Sequence, residues 1–137
     1  MIATPEEFIF NRLKEDADIT LIVGDRIYPT LAPDGTIRPY ITFHGVSGNS
    51  LTDLDGPAGI AQDRFQIDLW STNLLEAAGL RELVRIAFQS FRGSIASVPS
   101  FEVQECSYEK GPSLFESDTR LHHLVAFVFL GYKEAQS

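Results

Sequence analysis

The chain has one cysteine, Cys106, in 137 residues. This rules out an intramolecular disulfide and, with only three histidines beside it, leaves too few ligands for an ordinary zinc site. Cations are also scarce: 11 Lys and Arg stand against 19 Asp and Glu, a formal net charge of −8. A surface that grips DNA needs clustered Lys and Arg to displace condensed counterions, so nucleic acid is repelled on average. Long apolar runs are missing; residues 124–130 form the longest, far below the ~20 residues of a spanning helix, so no membrane segment is expected. The N-terminal stretch is broken by Glu6, Glu7, Arg12, Lys14, Glu15 and Asp16, unlike a secretory signal, which predicts a protein that stays in the cytoplasm. The glycine-bearing stretches 45–48 and 56–59 lack the lysine and helix start of a phosphate loop. No cofactor or metal is expected.

What remains is an ordinary globular composition, 44% hydrophobic and 22% charged, long enough for one domain over residues 1–137 with a substantial core. Thr4-Pro5-Glu6-Glu7 reads as a helix start with Thr4 as N-cap, and Ile9, Phe10 and Leu13 recur at helical spacing up to about Asp16. Residues 18–22 suit a turn of helix ended by Gly24, although propensity alone reads 19–23 as a strand just as readily. Pro29 and Pro33 then remove donors and pin torsions, which predicts a short edge strand over 26–28 and a crossover to extended chain at Tyr40. Residues 40–46 alternate, with Ile41 and Phe43 on one face and Tyr40, Thr42 and His44 on the other. Residues 47–59 read as a long projecting hairpin connection. Beyond it Phe65, Ile67 and Leu69 oppose Arg64, Gln66 and Asp68 across a half-buried strand.

The period turns helical from Asn73, with Leu80, Leu83, Val84, Ala87, Phe88 and Phe91 as the buried stripe, Arg81 among the exposed residues, and Gly93 as C-cap. Two strands follow, about 101–108 and 119–132, with a loop at 109–118 between them. The fold class is therefore α+β: an antiparallel sheet of about four to five strands with two main helices on one face. The last strand is apolar on both sides, with Leu121, Val125, Phe127 and Phe129 on one and Leu124, Ala126, Val128 and Leu130 on the other. If helices cover only one side, a neighbouring subunit is the simplest cover for the second; a fully internal strand is the alternative.

Chemistry is thin. His122 and His123 point to opposite sides of one strand and cannot converge on one ion. His123 shares a face with Leu121 and Val125, and no partner for it can be named. Asp53, Asp55 and Gly56 imitate the middle of a calcium loop, but Leu51 and Gln62 stand where ligands are required. Asp53, Asp55 and Asp63 are then solvated turn residues rather than an acid–base pair. Trp70 reads as a core or interface anchor.

Residues 24–29 (Gly-Asp-Arg-Ile-Tyr-Pro), Ala32-Pro33, Pro39-Tyr40-Ile41, Leu54-Asp55-Gly56 and residues 64–70 (Arg-Phe-Gln-Ile-Asp-Leu-Trp) leading into Glu76-Ala77 occur in an order that resembles the tail-completion or tail-terminator proteins of long-tailed bacteriophages and prophages. The resemblance spans roughly residues 13–92; the C-terminal third is similar in architecture alone. It implies a non-enzymatic virion protein at the head–tail junction, assembled in the host cytoplasm. In that role a ring, usually hexameric, caps the tail tube, ends its polymerisation and joins it to the head connector. Its partners are then copies of itself, the tail tube protein and the connector protein, with DNA only as cargo in the lumen. Leu124, Ala126, Val128, Leu130 and Trp70 are the expected interface, and Asp53, Asp55 and Asp63 the expected lumen-facing or partner-facing acids. The competing readings are a small ligand-binding or enzymatic α+β domain and a non-viral adaptor.

Overall fold

The computed structural model describes residues 3–50 and 60–133, with the backbone alone for 47–50. Helix α1 (Pro5–Glu15) starts where Thr4 Oγ1 accepts from Glu7 N at 3.2 Å, the expected cap. The Asp16 carboxylate accepts from the backbone of Asp18 and Ile19, both at 3.0 Å, and starts α2 (Ala17–Val23). Capping by Asp16 decides the helix–strand ambiguity of that stretch. Gly24, at φ +61°, ends α2, and Arg26 then donates through Nε to Pro39 O at 3.0 Å and through Nη2 to Ile22 O at 3.3 Å. Gly24 and Arg26 thus hold the turn from α2 into β1 (Ile27–Pro29) against the end of the crossover, which gives the Gly-Asp-Arg stretch a physical role.

Strands β2 (Tyr40–Ser50), β3 (Ile60–Ser71), β4 (Gly93–Ile95), β5 (Val98–Glu116) and β6 (Leu121–Lys133) complete a six-stranded sheet in the order β1-β2-β3-β6-β5-β4. Helix α3 (Leu74–Phe88) connects β3 to β4. The architecture is α+β, with six strands and three helices rather than four to five strands and two helices. One strand pair, β1 with β2, is parallel. Ile41, Phe43, Phe65, Ile67, Leu69, Leu124, Ala126, Val128 and Leu130 pack with Phe8, Ile9, Leu13, Leu80, Val84 and Phe88 into one continuous core. The helices therefore cover one face of the sheet.

Three boundaries differ from expectation, each because a neighbouring strand outweighs local preference. Residues 47–50 continue β2 rather than opening a loop, since 61–64 of β3, already paired on their other side with β6, offer a backbone ladder to them. Residues 51–59 lie outside the described residues. Likewise 109–116 extend β5 rather than forming a loop: β6 is apolar and its backbone groups need partners, so Gly111-Pro112 is absorbed as a bulge between Lys110 and Ser113. Finally, α3 ends at Phe88 and not near Gly93. Ser90, at φ +65°, takes the left-handed position and donates its N–H to Cys106 O at 3.0 Å, which turns the chain into β4.

Candidate functional site

Pleating puts Tyr40, Thr42 and His44 of β2, Gln66, Asp68 and Trp70 of β3, and His123, Val125, Phe127 and Phe129 of β6 on the face the helices leave uncovered, as the cross-strand register requires. A carboxylate is buried at its centre. Asp68 is 4% exposed, and its Oδ1 accepts from Gln66 Nε2 at 2.8 Å and lies 2.6 Å from His123 Nε2. A carboxylate oxygen can only accept, so Nε2 carries the shared proton. His44 Nδ1 stands 3.8 Å from the other oxygen, Oδ2. His123 stacks on Trp70 with ring centroids 3.9 Å apart, Trp70 stacks on Tyr40 at 5.9 Å, and Trp70 Nε1 donates to Thr42 Oγ1 at 3.0 Å. These rings form a column across three strands, with Trp70 Nε1 and His123 Nε2 hydrogen-bonded and its outer surface half-buried. Burial raises the Tyr40 hydroxyl above the ordinary tyrosine range, with Arg38 opposing and Glu116 adding to the shift.

Further along the same face the Arg64 guanidinium lies 4.2 Å from the Phe127 ring centroid and 5.2 Å from that of Phe129, a cation over two aromatic faces. Its Nε is buried without a hydrogen-bond partner among the described residues. Arg64 and Phe129 border an open cleft of about 400 Å³, flanked by Asp63 and Glu105. At the Trp70 end, the loop after β1 and the β5–β6 hairpin enclose a second cleft of about 270 Å³ over Tyr40 and Trp70. Leu31 of the loop lines it and is exposed; Ile37 of the same loop and Leu114 of β5 are exposed as well, and Phe115 is exposed on the other side of the sheet against His122.

The residues expected at an interface divide between the two faces. Leu124, Ala126, Val128 and Leu130 are turned towards the helices, each at most 1% exposed. Their face is the intramolecular core, and the free face of β6 is that of Phe127 and Phe129. The physical reason is that an apolar strand face goes to whichever side receives the helices, which the pattern of β6 alone does not specify. Trp70 does lie on the uncovered face. Asp63 stands within β3 and accepts from the Tyr132 hydroxyl at 3.0 Å. Asp53 and Asp55 lie outside the described residues.

Arg81, expected on the wet side of α3, is 6% exposed and donates to the carbonyls of Gly111, Pro112 and Val125 and to Ser113 Oγ. The signal was its position, four residues after Ala77 and three before Val84, inside the apolar stripe. Among the described residues no group of three or more His, Cys, Asp or Glu is placed to hold a metal ion. The Cys106 thiol is pushed up to about 12 by burial, against a small opposing pull from Arg12, so it carries no thiolate near neutrality.

A helix-backed sheet whose other face is aromatic and half-buried, with a guanidinium packed on two of its rings, defines an α+β protein with an open aromatic sheet face. Residues 7–128 match the family model of tail completion protein gp17, and the chain belongs to that family. It is similar to a chain of a native gene transfer agent (GTA) virion particle, with 12% identity, 94% of each chain covered and a TM-score of 0.77, which shows a common fold. No curated protein matches the sequence. Family and fold together make this a structural virion protein of the tail-completion type.

Proposed function

We propose that this chain closes the end of a phage-type tail: a ring of copies, hexameric by analogy with tail-terminator proteins, caps the tail tube, ends its growth and joins it to the head connector. The observation that carries the reading is the family match over residues 7–128. The free sheet face agrees with it: Trp70, Phe127, Phe129 and Arg64 offer aromatic and cationic contacts at one surface, where a partner excludes water from groups that are already half-desolvated. The partners are copies of the chain, the tube protein and the connector protein, and the location is the head–tail junction of the virion.

DNA passes through such a ring as cargo. A net charge of −8 suits a channel that does not hold phosphates, with Asp53, Asp55 and Asp63 as the acids to test. Replacing the three by lysine slows genome ejection if they face the channel; an unchanged rate removes that assignment. The primary experiment is electron microscopy of particles assembled without this protein. Overlong tails and unjoined heads support the reading, and normal virions reject it.

A further inference from the structure

The sheet has two free edges, and they face in opposite directions. On one side β1 pairs with β2 only as far as Phe43, whose carbonyl accepts from Thr30 N. Beyond that point, residues 44–50 of β2 have no strand on their outer side among the described residues. On the other side β4 pairs with β5 only over 98–103, and Ser90 N takes the carbonyl of Cys106. Residues 107–116 of β5 have no outer strand among the described residues. Among the described residues no strand takes up the outward backbone groups of 44–50 or of 107–110, as on any strand open to pairing.

The polarity of the strands makes the two edges complementary. β2, β3, β6 and β5 alternate in direction, so β5 runs opposite to β2. A second copy that placed its β2 outside β5 would continue the antiparallel order without reversing the sheet, and its helices would fall on the same face. The free windows also share a level: His44 is in register with Gln66, Gln66 with Phe127, and Phe127 with Glu109. Charge permits the unlike pairing. The free part of β5 carries Glu109 beside Lys110, and residues 44–50 hold no charged residue apart from His44 when protonated, so no like-charge pair opposes the unlike pairing, and strand polarity and the shared level are what favour it. Pro112 and the bulge at Gly111 blunt the far part of β5, which confines pairing to its near part.

We propose that the outer edge of β2 on one copy pairs antiparallel with the outer edge of β5 on the next, through 44–47 and 107–109, to form one sheet that runs across subunits. The contact is head-to-tail, so repetition closes a ring or propagates. This inference rests on the ring reading above, which it deepens by naming the surfaces that meet.

The test uses full-length chains carrying one new cysteine each: His44→Cys on β2, and Ser107→Cys or Glu109→Cys on β5. Each is prepared with native Cys106 and with Cys106→Ala, so that neither the buried thiol nor its loss decides the result. Oxidation is carried out at assembly concentration and again in tails carrying a mixed population, with oligomer size measured by sedimentation. The expected result is a covalent dimer from His44→Cys mixed with at least one β5 variant, at tenfold or more over either variant alone. A variant that cross-links to itself as strongly as to its counterpart overturns the proposal, as does absence of the mixed dimer. In that last case a closed oligomer in solution or in tails leaves the ring reading standing, and its absence removes both.

Discussion

Arg81 of α3 reaches the bulge at Gly111 of β5: its Nη1 lies 3.1 Å from Gly111 O and 3.3 Å from both Pro112 O and Val125 O, while Nη2 lies 3.1 Å from Ser113 Oγ. One guanidinium thus satisfies the carbonyls that a bulge turns out of its ladder, and the carbonyls in turn solvate a cation that is 6% exposed. Arg81→Met keeps the apolar packing and leaves those acceptors without a donor. We expect a loss of about 2–4 kcal/mol by urea unfolding, with Arg81→Lys in between. Gly111→Ala tests the other member of the pair. A Cβ there would stand 2.8 Å from both Val125 Cγ1 and Val125 O, so the bulge must shift, and we expect about 1–3 kcal/mol of destabilisation.

How far the sequence revealed the fold follows from which forces are local. The caps Thr4 and Asn73, the alternation of 64–69 and the helical stripe of α3 act within a few residues, and the structure reproduces them. The ends of β2 and β5 depend on strands distant in the chain, and there the stretches 47–59 and 109–118 read locally as loops. The candidate face was legible as a pattern, with His44, Gln66 and Asp68 opposite the apolar set. The contact between Asp68 and His123, 55 residues apart, depends on the register of β3 with β6, which neither strand encodes alone. The free side of β6 was hidden for the same reason, because both of its faces are apolar.

Asp68 holds the uncovered face together. Asp68→Ala leaves the partly buried His123 and Gln66 donors without their shared acceptor, and we expect a loss of about 1–3 kcal/mol. Asp68→Asn keeps an acceptor oxygen and costs less. Trp70 is the chain's one tryptophan and stacks directly on His123, so its fluorescence reports the site. A red shift of its emission in Asp68→Ala, with far-ultraviolet dichroism unchanged, is the expected local signature; an unchanged spectrum would mean that the ring column stands without the carboxylate.

Cys106 makes stability fall in alkali. Its thiol is raised from an ordinary 9.0 to about 12 by burial, so the neutral form is favoured in the folded state. The associated stability is present below pH 9 and is lost as pH rises towards 12. Three units correspond to at most about 4 kcal/mol. Cys106→Ala removes this proton linkage, so its unfolding free energy relative to the native chain should improve steadily between pH 9 and pH 11.5. Parallel pH profiles of the two chains would refute the assignment.

The two faces of β6 should respond oppositely to substitution. Leu124 and Val128 are fully buried under the helices, so Leu124→Ala leaves a cavity and costs about 2–5 kcal/mol whatever the protein binds. Phe127 and Phe129 are only half-buried, and their rings carry Arg64 on the free side. Phe127→Ser with Phe129→Ser removes that aromatic surface while the core residues on the helix side stay in place. We expect a smaller stability loss than for Leu124→Ala, together with failure to join tails to heads in particles complemented with the variant. Thermal unfolding and counts of completed particles, measured on the same set of variants, separate the two effects. If the double serine variant completes tails at the native rate while folding normally, the free face of β6 is not where the partners meet, and the edges of β2 and β5 remain as the contact surfaces to examine.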